Sequence, residues 1–152
     1  MNNVRNQQYG VSILRVALGT MLLSHSAYLK LVIYGFEGTV GYFTSLGLPP
    51  ASALAVIATE IVAGLALIVG FHSRTAALVS IPVLLGATWA HWANGWIFSN
   101  AGGGWEYPLF LAVAAAAQVF LGDGALAVGS PAPAFLDAGN RRVGRGAALS
   151  FK

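Results

Sequence analysis

Four long stretches of this 152-residue chain carry almost no charge, and that pattern constrains the fold more than any single motif. They run over 11–34, 51–71, 75–92 and 105–121. An α-helix rises 1.5 Å per residue, so about 20 apolar residues cross a hydrocarbon layer of about 30 Å. The first stretch exceeds that length, the two middle ones are close to it, and the last lies at the lower limit for a span. Composition agrees: 57% of the chain is hydrophobic and 9% is charged, against about 25% charged in a soluble domain. The expected fold is all-α, an integral membrane four-helix bundle over residues 1–124, followed by a basic tail over 125–152 rich in Gly, Ala and Pro.

The connections fit that reading. Phe36 to Pro50, FEGTVGYFTSLGLPP, mixes turn formers with aromatic residues and predicts an interfacial connection with one short surface helix, after which Pro50 opens the next span. His72, Ser73 and Arg74 leave room only for a tight antiparallel hairpin, and Gly122, Asp123 and Gly124 end the last span. The first apolar run is too long for a signal peptide and lacks a small-residue cleavage site, so it is read as a span. Arg5, Arg15, Arg74 and the tail residues Arg141, Arg142, Arg145 and Lys152 fall on one side, with Lys30 on the other. The excess of basic residues marks the cytoplasmic side, which places both termini there. The tail then faces anionic lipid, and nucleic acid is not expected as a partner, because no aromatic or fold signature accompanies the charge.

The chain has no cysteine, which excludes disulfides, thiol exchange, thiolate-held iron-sulfur clusters and cysteine nucleophiles. Redox chemistry therefore needs a bound cofactor. The glycines from Ala101 to Gly104 precede a span and are read as a loop, not as a dinucleotide fingerprint. No metal site is expected, since neither HExxH nor a Glu-x-x-His pair occurs. His25 and His91 differ in depth by a turn or more, so haem b is not expected either.

The informative residues are polar ones inside the apolar runs: Arg15, His25, Lys30, Glu60 and His91. Counted along their helices, His25 and Glu60 reach similar depth and could meet, either to handle a proton beside a quinone carbonyl or to clamp two helices. Arg15 is expected to snorkel outward or to pair with Glu60, and Lys30 to reach Glu37, Glu106 or lipid headgroups. Thr88, His91 and Gly95 share a stripe next to Asn94, which predicts an outer pocket closed by Trp105 and Glu106. Trp89, Trp92, Trp96 and Trp105 read first as an interfacial aromatic belt. Pro82 is expected to kink its helix and Gly64 to let helices approach closely.

Several strings, LRVALGTMLLSHSAYLKL, GFEGTVGYFTSLGLPP, Glu60 ahead of GLALIVGFHSRTAAL, and NAGGGWEYPLF, together resemble the DoxX family over about Ile13 to Gly124. The resemblance implies a four-helix protein of the bacterial inner (cytoplasmic) membrane. Relatives include the membrane part of a thiosulfate:quinone oxidoreductase, and some members associate with soluble redox enzymes in oxidant defence. Arg15, His25, Lys30, Glu60 and the run Trp105, Glu106, Tyr107 match the family pattern, which departs at Ser24 and Ser26 beside His25. The leading expectation is a membrane component of a quinone-linked oxidoreductase system, with His25 and Glu60 in the chemistry and Arg15, Lys30, His91, Asn94, Trp105 and Glu106 around the ligand. Its partners would be the bilayer and a redox protein or further copies of the chain. The alternatives are a non-catalytic assembly protein for a redox partner and a small proton-coupled transporter.

Overall fold

The computed structural model describes residues 2–129, so the basic residues from Arg141 to Lys152 lie outside the described part. Among the described residues every regular element is helical and no strand occurs. Helix α1 spans Asn2–Leu23 and continues as a π-helical segment, Ser24–Ile33. The remaining helices are α2 (Gly35–Ser45), α3 (Pro50–Val69), α4 (Ser73–Ala90) and α5 (Glu106–Leu121). The first helix begins well before Val11, because hydropathy marks where a helix is apolar and not where it starts. Its polar first turns extend the element beyond the apolar stretch.

Among the described residues two helices are long and apolar enough to cross a membrane: 31 residues over Asn3–Ile33 and 20 over Pro50–Val69. Helix α5 is apolar and shorter, and α4 runs for 18 residues through Pro82. Helix α1 packs on α3, α3 on α4, α4 on α5, and α5 returns to α1. The core between them is aliphatic and small, with Leu18, Leu22, Leu67, Leu84 and Ala115 all buried. The outward faces are apolar as well: Ile13, Val62, Val113 and Phe120 are each more than 60% exposed. An exterior of that kind belongs in hydrocarbon, since soluble proteins avoid large contiguous apolar patches.

Helices α1 and α3 meet backbone to backbone. A methyl group at Gly19 would stand 2.6 Å from the carbonyl oxygen of Gly64, and one at Gly64 would stand 2.9 Å from that of Gly19. Small residues at such a crossing replace the hydrophobic drive that helices lack inside lipid. Gly64→Leu is therefore expected to push the two helices apart and cost about 1–3 kcal/mol, the usual penalty of overpacking. Thermal unfolding in detergent would show it, and an unchanged midpoint would contradict the close approach.

The ends of the helices are fixed by polar contacts. Gly70, with φ +78°, closes α3 in a left-handed turn, and both Gly70 and Phe71 donate to Ala66 O at 2.9 Å. The Asp123 carboxylate accepts from the Ser73 backbone N–H at 3.2 Å and so caps α4 from the far end of α5. Arg74 donates to Val119 O at 3.3 Å. The start of α1, the end of α3, the start of α4 and the end of α5 thus share one end of the molecule.

Candidate functional site

At the opposite end, a cavity of about 830 Å³ opens between α1, α3, α4 and α5. Its walls are mostly apolar, from Met21, Val56, Leu84 and Leu111, with Tyr42 and Phe43 of α2 and Phe98 of the loop between α4 and α5 also lining it. A few polar groups converge in it: His25, Lys30, Glu60, His91 and Tyr107. A largely apolar cavity with a handful of placed polar groups is the usual form of a small-molecule site.

Glu60 on α3 is buried, yet it does not pair with His25. Its Oε2 accepts from Lys30 Nζ at 2.6 Å and from Ser26 Oγ at 2.5 Å, and Ser26 also donates to Ile57 O at 3.3 Å. The side chains of this ion pair are 19% and 6% exposed for Lys30 and Glu60. The depth count was sound, since Ser26 adjoins His25, but the facing was not. From Ser24 the helix follows an i→i+5 pattern, as in Tyr34 N donating to Leu29 O at 2.9 Å. A π-helical stretch turns the residue faces away from the 3.6-residue period that a sequence reading assumes. Ser26 and Lys30 are thereby brought onto α3. The sequence signal for this was Ser26 itself, one of the two departures from the family pattern.

His25 turns instead into the cavity, where its ring stacks on Tyr107 with centroids 5.7 Å apart. Its Nδ1 lies 2.8 Å from Met21 O. A carbonyl oxygen can only accept, so Nδ1 carries the proton and Nε2 of the neutral ring is left as an acceptor. The Tyr107 hydroxyl meets only the Met21 sulfur, a weak acceptor that a ligand oxygen would readily replace. At the rim, desolvation raises the Tyr42 phenol above its ordinary range, so it stays a neutral hydroxyl at physiological pH.

The other predicted positions are distributed differently. His91 lines the cavity, and the Asn94 amide donates to its Nδ1 at 3.4 Å and to Gly102 O at 3.0 Å. Asn94 and Asn100 thus build the loop between α4 and α5. Trp105 stacks on Trp92 at 4.6 Å and meets Trp96 edge-on at 4.5 Å, while Glu106 Oε1 accepts from Phe98 N at 2.9 Å. Asn94, Trp105 and Glu106 therefore hold the loop that covers the cavity and are not among its lining residues. Lys30 reaches neither Glu37 nor Glu106. Arg15 neither snorkels nor meets Glu60: it is 1% exposed and donates from Nη1 to Leu67 O at 2.5 Å and Ile68 O at 3.0 Å, at the far end of α3. Among the described residues no group of three His, Cys, Asp or Glu is placed to hold a metal ion.

The DoxX family profile matches residues 10–92, which takes in Arg15, His25, Lys30, Glu60 and His91. The chain belongs to the DoxX family. The match ends before Trp105 and Glu106. A curated relative named "Putative oxidoreductase CatD", from Bacillus subtilis (strain 168), is 30% identical over 80 residues. The alignment covers 53% of this chain and 58% of that protein, so the DoxX chain matches little more than half the relative's length. No solved structure gives a significant match.

Proposed function

We propose that this DoxX-family protein is a four-span membrane component of a quinone-linked oxidoreductase system, with the quinone head group held in the cavity beside His25, Lys30 and Tyr107. The observation that carries the reading is unspent hydrogen-bonding capacity inside an apolar cavity. Lys30 Nζ uses one bond on Glu60, the Tyr107 hydroxyl has only a thioether partner, and His25 Nε2 is free to accept. These groups suit a planar ring with two carbonyl oxygens, which needs donors at the oxygens and apolar walls around the ring. A bound quinone would supply a carrier for two electrons and two protons.

The chain's own part is to position and to move protons. Lys30 and Tyr107 donate to ring oxygens, and the stacked His25 ring accepts a proton at Nε2 from a ligand hydroxyl. Glu60 fixes the Lys30 ammonium through Oε2, and Ser26 shares the same oxygen, so the donor is held ready before a ligand arrives. Electrons come from a partner protein in this reading, since the sequence carries no flavin or nicotinamide fingerprint of its own. In this reading α1, α3, α4 and α5 all cross the bacterial inner membrane, and the end with Arg15 and Arg74 is cytoplasmic, with both termini.

Titration of the purified protein with a tail-less dimethoxybenzoquinone tests the site, because Trp89 lines the cavity and its fluorescence should be quenched on binding. Wild type is expected to quench saturably, and His25→Leu and Glu60→Gln to weaken binding by about tenfold each, the scale of one lost hydrogen bond to a charged or polar ligand group. Folded variants that bind as well as wild type would leave the buried polar residues as helix clamps and favour an assembly role. A wild type that shows no saturable quenching would also sink the quinone reading.

A further inference from the structure

The cavity reaches the surface along one edge of α4. Pro82, Gly86 and Trp89 line it and are also exposed, and so is Tyr42 across the gap on α2. Ser52 and Val56 of α3 line the cavity as well. Helix α2 packs on α3 and on the π-helical segment, which leaves the side towards α4 open. Counted from Ser73, Pro82 stands about 14 Å along a helix of about 27 Å, so the opening starts near the middle of α4. With α4 crossing the bilayer, as in the reading above, a mouth at that height faces hydrocarbon. Gly86 sits on its sill with open space around it: a Cβ there would meet nothing within 4 Å.

Resting on the quinone reading above, we infer that this lateral mouth is the route by which the ligand reaches the cavity and the place where its tail leaves it. The ligand is then a membrane amphiphile, with a compact hydrogen-bonding ring against His25, Lys30 and Tyr107 and an apolar chain passing between Tyr42 and Gly86 into the bilayer. The chemistry of the rim agrees with this. Pro82, Gly86, Trp89 and Tyr42 at the rim carry no charge, so the chain passes no charged side chain there on its way out. Gly86 selects for the tail by having no side chain. A larger residue at that position fills the exit without touching the ring site or the core.

The test compares two probes, a tail-less dimethoxybenzoquinone and its decyl-tailed analogue, by fluorescence quenching in detergent micelles. Gly86→Phe is expected to weaken the tailed probe by about tenfold or more while leaving the tail-less one within about twofold, as a steric block acts only on the ligand that needs the space. Gly86→Leu should give a smaller effect in the same direction, which keeps the comparison informative if the phenylalanine variant folds poorly. Gly10→Phe, also in open space but on α1 towards the opposite end of the molecule, should change neither. Equal weakening of both probes by Gly86→Phe and Gly86→Leu, or no weakening of either, overturns the lateral route and leaves the quinone reading intact. A wild type that binds the tail-less probe but not the tailed one does the same. Failure of wild type to bind either probe removes the quinone reading, and the inference falls with it.

Discussion

Glu60→Ala is expected to destabilise the protein by about 3–5 kcal/mol, the cost of stranding one member of a buried ion pair. The substitution removes the acceptor that Lys30 Nζ has among the described residues and one of two that Ser26 Oγ has there. An ammonium left in that cavity would have to recruit water or bend out towards headgroups, and its partial exposure places the effect near the lower end of the range. Removing both charges at once is a different experiment. Lys30→Met with Glu60→Leu takes away the pair and its desolvation cost together, so most of the stability should return. Thermal unfolding of Lys30→Met, Glu60→Leu and the double variant measures the coupling. Additive losses in the double variant would show that Lys30 and Glu60 do not act as a pair.

The same pair shows what the sequence could and could not reveal. The helices around it were legible from apolar run length, from Pro50 at the start of α3 and from the short His72 to Arg74 turn, because these depend on local chemistry. Gly64 was legible as a place of close approach, since only a residue without a side chain tolerates a carbonyl at 2.9 Å. The partner of Glu60 was not. Depth along a helix follows from counting residues, but facing depends on the helical period, and ten residues of π-helix from Ser24 change that period without any unambiguous residue code. His25 was correctly suspected of sharing Glu60's depth, and it lines the same cavity from a different side. The sequence places Asn94, Trp105 and Glu106 around a ligand because Asn94 lies next to the stripe of Thr88, His91 and Gly95, and Trp105 and Glu106 match the family pattern. Their side chains are instead used on the loop itself, through Gly102 O, Trp92 and Phe98 N.

Arg15 is the larger departure, and it carries the second strong expectation. A charge one turn inside an apolar run invites a search for a carboxylate or for the headgroups. Here the guanidinium is spent on backbone carbonyls. Nη1 takes Leu67 O and Ile68 O, two of the terminal carbonyls that a helix cannot satisfy internally, and Nη2 reaches Ala125 O at 3.5 Å and Leu126 O at 3.4 Å. A cation at a helix C-terminus is favoured by the dipole as well as by the hydrogen bonds. The planar fork joins the end of α3 to the strap that follows α5, and that strap is also bonded by Ala125 N to Gln8 O at 3.1 Å and by Gly129 N to Gly70 O at 3.2 Å. Arg15→Met keeps much of the side-chain volume but takes the donor from Leu67 O and Ile68 O, while Ala125 O keeps the Ser12 hydroxyl, so a loss of about 2–4 kcal/mol is expected from the two stranded α3 carbonyls. Arg15→Lys should recover only part of it, because a single ammonium cannot reach both α3 and the strap. Hydrogen exchange should rise selectively over residues 125–129 in the Met variant, while quinone binding at the far end, measured below the lowered melting temperature, should stay within about twofold of wild type. If binding falls with stability unchanged, Arg15 belongs to the ligand site after all and its placement on α3 is not its role. The contrast with Glu60 is the physical point: Glu60→Gln, with its volume and half of its hydrogen bonding kept, should affect the ligand more than the fold, whereas no substitution of Arg15 should affect the ligand without first loosening the strap.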